Sequence, residues 1–306
     1  MTQLFYSYVR RLFSPSSARI MLGCLVSYAA GFAITVYLGR PMQLDLAMQG
    51  LLIVLLFGLT GICLDDFFKT YRLSFRMVAD QPNERKIQYE TQARYRTALL
   101  ISSMVLMVSA VLLTMMLMTR KDVTTMLPAL VFTFALFAIT FKFPPFSTLL
   151  ANQIELVEAV AVGLLAPAIG FFINYGEYHR LLGILILPLF LLYFAWVFSA
   201  GLDSYYQEDP EEGKALIRLV GLKRGLEFHH FLLITAYAGA ALSLLVNTPW
   251  SLVWPQLLTI PLSAGKIMLL NQLPAGLKPQ LKTIGRLSFW TFLIAGYFLV
   301  YTLFMN

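Results

Sequence analysis

Long apolar runs alternate with short polar segments along the whole chain. Each run is close to the roughly 20 residues that an α-helix needs to cross the hydrocarbon core of a bilayer. Nine runs are predicted to span the membrane, at about residues 20–38, 47–64, 98–118, 126–141, 149–174, 181–202, 226–246, 252–271 and 287–304. The pattern therefore predicts an all-α, polytopic membrane protein that forms one domain over residues 1–306.

The composition agrees with a membrane protein. Hydrophobic residues make up 58% of the 306 residues, and only 13% are charged, against roughly a quarter in soluble domains. Cys24 and Cys63 both lie inside apolar runs. Two such thiols form neither a disulfide framework nor a metal-binding pattern, so we interpret them as small core residues.

Basic residues lie mostly on one side of the predicted spans. With a cytoplasmic N-terminus, only Arg40, Arg120, Lys121 and Arg180 fall on the far side, and the other 19 Lys and Arg residues face the cytoplasm. Because this bias follows the positive-inside rule, we predict that orientation and, for a bacterial protein, a place in the cytoplasmic (inner) membrane. The bias also accounts for the net charge of +7, so no nucleic-acid partner is expected.

Two predicted cytoplasmic connections are long, at about residues 65–97 and 203–225, and acidic residues stand at the start of each. Their positions, four spans apart, suggest an internal duplication. The second connection carries an acidic cluster at Asp203, Glu208, Asp209, Glu211 and Glu212. Carboxylates at the mouth of membrane helices usually mark an ion or substrate site. The alternative is a solvated loop between two helices.

Several motifs carry a more specific resemblance. Asp209, Gly213 and Lys214 fit the pattern D-x-x-x-G-K ahead of a helix that ends in V-G. Glu155 stands eight positions before Gly163 in the fifth span, and LPAGLKPQLKTIGRL follows the eighth. Together with nine spans and acidic connections after the second and sixth, these features resemble the UbiA superfamily of intramembrane prenyltransferases. The menaquinone branch, the dihydroxynaphthoate prenyltransferases, is the most similar.

The resemblance implies nine helices around a central cavity, with a cytoplasmic cap formed by the two long connections. In that family, acidic motifs bind Mg²⁺ and the diphosphate of an isoprenoid donor, the donor ionises, and an aromatic acceptor captures the allylic cation. A diphosphate leaving group needs metal ions or cations because clustered carboxylates alone would repel it.

The resemblance also assigns roles to individual residues. The implied catalytic residues are Asp66, Asp209 and Glu155. The implied Mg²⁺ ligands are Asp65, Asp66, Asp209 and Glu212, with Asp203 as an alternative ligand. The implied diphosphate-binding cations are Lys69, Arg72, Arg76 and Lys214.

Both acidic motifs depart from the family pattern. In the first motif, N-D-x-x-D-x-x-x-D in the family, Asp65 replaces the Asn, Asp66 matches the first Asp, and Lys69 and Leu73 stand at the later Asp positions. In the second motif, Tyr205 replaces the Asp four residues before Asp209. Each motif has therefore lost one carboxylate of an i, i+4 pair, the spacing that places two ligands on one helix face. Either Lys69 and the nearby arginines replace a metal ion as diphosphate clamps, or the site is degenerate and no longer catalyses a reaction.

Polar residues within the spans provide further candidates. Glu155 and Glu158 share a helix face, and we expect Glu155 rather than Glu158 to line the cavity. The alternative for this pair is an interhelical hydrogen bond or an ion pair with Lys142. His229 and His230 are adjacent on a helix and point in different directions, so we interpret them as interface residues rather than joint metal ligands.

The leading hypothesis is a divergent UbiA-type transferase that uses an isoprenoid diphosphate and an unidentified lipophilic acceptor within membrane lipid. Cyclisation of the donor, as in a terpene cyclase, is a variant of the same chemistry. The alternative from another class is a catalytically inactive protein of this fold that binds lipid or serves as a scaffold. A transporter is a weaker third reading, because transporters place charges nearer the membrane midplane.

Overall fold

The computed structural model describes residues 15–80, 86–120, 124–144, 146–150, 153–206, 216–271 and 281–306. Within these ranges, side chains are described except at 15–16, 72–80, 86–92, 148, 203–206, 218 and 281–282. Every regular element among the described residues is helical.

The helices follow the predicted spans closely. They are α1 (Pro15–Tyr37), α2 (Leu44–Asp80), α3 (Lys86–Met118), α4 (Met126–Thr140), α5 (Phe146–Leu149), α6 (Ile154–Val160), α7 (Ala166–Tyr175), α8 (Arg180–Tyr206), α9 (Leu216–Val220), α10 (Leu222–Leu242), α11 (Trp250–Leu257), α12 (Ile260–Asn271) and α13 (Leu281–Met305). Within the described ranges, eight helical stretches are long and apolar enough to cross a membrane, and α4 is a shorter apolar helix. The predicted all-α, polytopic fold with nine spans is confirmed.

The chain between the second and third spans differs from the prediction. The second span was predicted to end at Leu64, but α2 continues to Asp80, and α3 already begins at Lys86. The described part of the predicted 65–97 connection is therefore helical. The physical reason is that residues 65–80 and 86–97 contain neither Gly nor Pro, so nothing in them interrupts a helix once polar residues replace apolar ones. A cap function for this segment stays a prediction.

Helix α8 lies at the centre of the bundle. It is the most buried of the eight spans and packs against α1, α6, α10 and α13. Helix α1 packs against both α2 and α13, so the first and last helices are neighbours. Helix α3 is the least buried span and contacts mainly α2, which leaves most of its apolar surface facing outward. The end of the bundle where α1 begins and α2 ends is called the basic end below.

The fifth span contains a change of helix type. A π-helical turn, Ala161–Leu165, separates α6 from α7, and the Ala166 amide donates to the Ala161 carbonyl, five residues back. Pro167 follows directly and has no N–H to continue the ordinary ladder. Such turns are frequent at functional sites. This turn directly follows the part of the span that carries Glu155 and Glu158.

Candidate functional site

Asp65 and Lys69 pair with each other on α2. The Lys69 Nζ lies 2.7 Å from Asp65 Oδ2 across one helical turn. The cation that replaces the expected carboxylate therefore neutralises the carboxylate that remains. A divalent ion at Asp65 would have to displace this ammonium group, so the Asp65–Lys69 pair does not fit the ordinary two-carboxylate metal site.

Aromatic side chains surround this part of α2. Phe67 stacks on Tyr71, and Phe68 packs edge-on against Phe143 beyond α4. The guanidinium of Arg96, from α3, lies 5.6 Å from the centre of the Tyr71 ring, within the range of a cation–π contact. The contact places a second cation beside the predicted diphosphate-binding segment.

The remaining predicted ligands fall outside what the structure describes. Asp209, Glu212 and Lys214 lie in residues 207–215, outside the described ranges. Asp203, Arg72 and Arg76 lie on helices at positions whose side chains are not described. Within the described part of the chain, no group of three or more His, Cys, Asp and Glu side chains is arranged to hold a metal ion. The predicted Mg²⁺ site thus stays a prediction.

Glu155 connects two parts of the chain at the basic end. Its side chain is buried, and Glu155 Oε2 accepts a hydrogen bond of 2.6 Å from the backbone N–H of Leu216. Leu216 is the first residue of α9, where an N–H has no partner within its own helix. The carboxylate therefore fixes the start of α9 against α6. This contact is the interhelical hydrogen bond that the sequence left open.

Glu158 forms an ion pair that joins three spans. Arg19 of α1 donates from Nε and Nη2 to the two Glu158 oxygens, each at 3.0 Å. The hydroxyl of Tyr193, on α8, donates to Glu158 Oε1 at 3.1 Å. The Arg19 and Glu158 side chains are only 15% and 14% exposed. A bidentate, charge-assisted pair of this kind is among the stronger polar contacts in proteins. Glu158 pairs with Arg19, and the expected alternative partner, Lys142, is not in this network.

A cavity lies beside this network. Its volume is about 40 Å³, which is room for water molecules rather than for an isoprenoid chain, and it lies between α1, α2, α4 and the fifth span. Its wall is mostly apolar, and its polar side chains include Glu158 and Lys142. Glu158 is among the residues that line this cavity, whereas the expectation that Glu155 lines a central substrate cavity stays a prediction. The π-helical turn contributes Ala161 and Val162 to the wall.

Arg19 and Tyr193 were missed as site residues. Arg19 was assigned to the basic residues that orient the chain, and Tyr193 lies within a long apolar run. A usable signal was present: Arg19 adjoins the first predicted span and Glu158 lies in the fifth, and opposite charges within spans tend to pair. The sequence alone does not show that the first, fifth and sixth spans are neighbours.

Comparison with known proteins supports the fold. No protein-family model matches the sequence, and no curated protein matches it. A solved structure of a digeranylgeranylglyceryl phosphate synthase in membranes matches 99% of this chain and 100% of its own, with a TM-score of 0.59 at 13% sequence identity. At this identity the match shows a shared fold. The chain therefore has the overall fold of that membrane enzyme.

Proposed function

We propose that this chain is a divergent UbiA-type prenyltransferase that transfers an isoprenoid group from its diphosphate to a lipophilic acceptor. The observation that carries the proposal is the shared fold, which extends over 99% of the chain. The matched enzyme is an intramembrane prenyltransferase of the UbiA superfamily, the superfamily that the acidic motifs of this sequence resemble. The aromatic quinone precursor implied by the menaquinone branch is one acceptor within this proposal, and cyclisation of the donor is a variant of it.

The reaction breaks the C–O bond between the isoprenoid group and the diphosphate, which leaves with the electron pair. The allylic cation then forms a bond to the acceptor, and the acceptor loses a proton. In our proposal Lys69, Arg72, Arg76 and Lys214 neutralise the leaving diphosphate. Lys69 has a defined partner in Asp65, so this pair holds the ammonium group at the end of the spanning part of α2.

Mg²⁺ has fewer ligands in this proposal than the resemblance implies. Asp66, Asp209 and Glu212, with Asp203 as an alternative, would hold the ion, which would supply additional positive charge for the diphosphate oxygens. Asp65 is the least suitable member of the predicted set because Lys69 neutralises it. The two members of the set with described side chains do not make a site by themselves.

Glu155 has a positioning role in this proposal rather than a catalytic one. Its carboxylate holds the first N–H of α9, immediately after residues 207–215, which carry Asp209 and Lys214. Glu158 already accepts three hydrogen bonds, so we assign it a structural role in the wall of the cavity.

One observation favours the non-catalytic alternative. The Lys69 ammonium group pairs with Asp65 and leaves Asp66 as the one carboxylate of this helix turn that does not face it, as expected for a metal site that has degenerated. In this second hypothesis the protein binds lipid, and no diphosphate is cleaved. The two readings differ in whether pyrophosphate is ever released.

The test is a reconstituted assay with the full-length protein in vesicles. Isoprenoid diphosphates of several chain lengths are supplied with an aromatic acceptor mixture, with and without Mg²⁺, and released pyrophosphate is measured. We expect release that falls at least about a hundredfold in Asp66→Asn and Asp209→Ala, the size of effect typical for loss of a charge-stabilising group. The matched control is Asp45→Asn, the same kind of change at the opposite end of α2, where Asp45 pairs with Arg120.

The results separate the two readings. Equal release by Asp66→Asn, Asp209→Ala and the unchanged protein would overturn the site assignment. Complete absence of release with every donor, together with lipid retained by the purified protein, would favour the non-catalytic hypothesis. Release without any acceptor, with formation of a cyclic hydrocarbon, would identify the cyclase variant.

A further inference from the structure

A layer of buried polar side chains lies on three helices that do not line the cavity. It consists of His229 and His230 on α10, Lys266 on α12 and Ser288 on α13, and is called the His–Lys layer below. His229 is 0% exposed, and Lys266 and Ser288 are each 1% exposed. None of these residues belongs to the proposed prenyl-transfer site.

Helix register places these residues at one depth. Leu226, Leu270 and Ile284, from α10, α12 and α13, are members of one buried apolar cluster near the basic end. His230, Lys266 and Ser288 are each four residues further into the bundle on the same three helices, and residues four apart share a helix face. The His–Lys layer therefore lies one turn deeper than the apolar cluster, roughly 7–12 Å from the helix ends at 1.5 Å per residue.

Hydrogen bonds between α10 and the α11–α12 segment support this register. Deeper in the bundle, the Tyr237 hydroxyl bonds to the hydroxyls of Thr259 and Ser263. Helices α10 and α12 run antiparallel. Moving from these contacts towards the basic end therefore brings His230, which lies two turns before Tyr237 on α10, towards Lys266. Lys266 is also close enough to His229 and His230 for their charges to interact.

The polar atoms of the layer lack partners. Both ring nitrogens of His229, Nε2 of His230 and Oγ of Ser288 are buried and accept or donate no hydrogen bond among the described residues. Lys266 is in none of the ion pairs found there. Buried polar groups are almost always hydrogen-bonded, and a buried cation without a partner is costly. Three residues with such atoms and a buried cation, together in one layer among the described residues, make this layer a candidate binding site.

We propose that the His–Lys layer binds the phosphate oxyanion of a ligand. The layer offers an ammonium group, a hydroxyl and two imidazoles, so its charge is complementary to an anion. The donors converge from three helices, which suits the tetrahedral oxygens of a phosphate better than the two coplanar oxygens of a carboxylate. Basic pockets between membrane helices near one surface bind lipid phosphates in this way.

The surroundings are compatible with entry from the lipid side. His230 is only partly buried, and Phe231 and Ile234 beside it are exposed by 61% and 62% on the outer face of α10. The layer thus reaches the surface of the bundle at His230. Glu227 is the carboxylate that interacts with His230, and its side chain is exposed, so it leaves the charge of the buried Lys266 uncompensated.

The test measures binding rather than enzymatic activity. The full chain is placed in nanodiscs of phosphatidylcholine alone or with phosphatidic acid, whose headgroup is a phosphate monoester, and the shift in the thermal unfolding midpoint gives the affinity. Inorganic phosphate and pyrophosphate are added to the phosphatidylcholine nanodiscs in parallel. Stabilisation by phosphatidic acid identifies a lipid source, and stabilisation by the soluble anions identifies a soluble source of the same phosphate chemistry.

Two variants locate the site. Lys266→Met keeps an unbranched side chain but removes the charge, and we expect about tenfold or more weaker binding, as for one lost charge-assisted hydrogen bond. Lys223→Met removes an exposed cation from the same end of α10 and serves as the matched control with unchanged binding. His229→Leu is the second variant, in case Lys266→Met fails to fold, and it carries the same expectation.

Three results would overturn the proposal. The first is that neither phosphatidic acid nor a soluble phosphate stabilises the protein. The second is that Lys266→Met and His229→Leu bind as well as Lys223→Met. The third is that binding is lost in Lys69→Ala but kept in Lys266→Met, which would assign the phosphate to the proposed prenyl-transfer site instead.

Discussion

Loss of Arg19 is expected to destabilise the protein strongly, because it leaves Glu158 charged and buried between three spans. Arg19→Met removes both 3.0 Å hydrogen bonds to the carboxylate and leaves only the Tyr193 hydroxyl. Breaking one side of a buried ion pair costs about 3–5 kcal/mol. Because unfolded membrane helices also find polar partners, we expect the lower end, about 3 kcal/mol, which is roughly a 150-fold change in the unfolding equilibrium constant.

The second half of this prediction concerns the pair as a unit. In the double variant Arg19→Met with Glu158→Leu, no charge is left without a partner, and replacing a buried pair by apolar groups is often neutral. The double variant should therefore be more stable than Arg19→Met alone. This reversal distinguishes an ion pair from simple loss of packing, for which the two changes would add.

The assay is reversible unfolding by SDS in mixed micelles, followed by tryptophan fluorescence. Arg120→Met is the matched control, since Arg120 also pairs with an acid, Asp45, but the two side chains are 37% and 61% exposed. No measurable change is expected there, because exposed ion pairs contribute little. The reasoning is refuted if Arg19→Met is as stable as Arg120→Met, or if the double variant is less stable than either single variant.

Two further predictions concern helix packing and the first acidic motif. Gly31→Ala should destabilise by about 1–3 kcal/mol, since a Cβ would lie 1.9 Å from the backbone oxygen of Pro167, whereas Gly265→Ala has nothing within 4 Å and should be neutral or stabilising in the same SDS titration. Lys69→Asp restores the i, i+4 carboxylate pair with Asp65 and should bind Mn²⁺, used as a spectroscopic probe for Mg²⁺, more tightly than the unchanged protein. Lys69→Asn is its control, and equal Mn²⁺ binding by the two variants would show that this turn of α2 is not part of a metal site.

The number and place of the membrane spans could be predicted from the sequence. A bilayer imposes one length on every spanning helix, and the apolar run from Met126 already matches α4, Met126–Thr140. The failure at Leu64 has a clear cause. Hydropathy reports where a helix leaves the apolar layer, but helix formation depends on backbone propensity, so α2 continues to Asp80 through polar residues.

The candidate site was predictable only in part. Spacing alone placed Asp65 and Lys69 on one face of a helix, and their contact follows from that. Spacing also placed Glu155 and Glu158 on one face, but it could not decide their partners. Glu155 meets the Leu216 amide and Glu158 meets Arg19, and both partners are distant along the chain.

The sequence by itself determined that this chain folds in a membrane, because its apolar runs are long enough to span one. It also determined which residues share a helix face, because the helical repeat is local. Only the tertiary structure decided which faces meet: Arg19 with Glu158 and Tyr193, and the depth at which His230, Lys266 and Ser288 lie together. These contacts join helices far apart in sequence, and the order in which helices pack depends on the shapes of whole surfaces, which no local pattern contains.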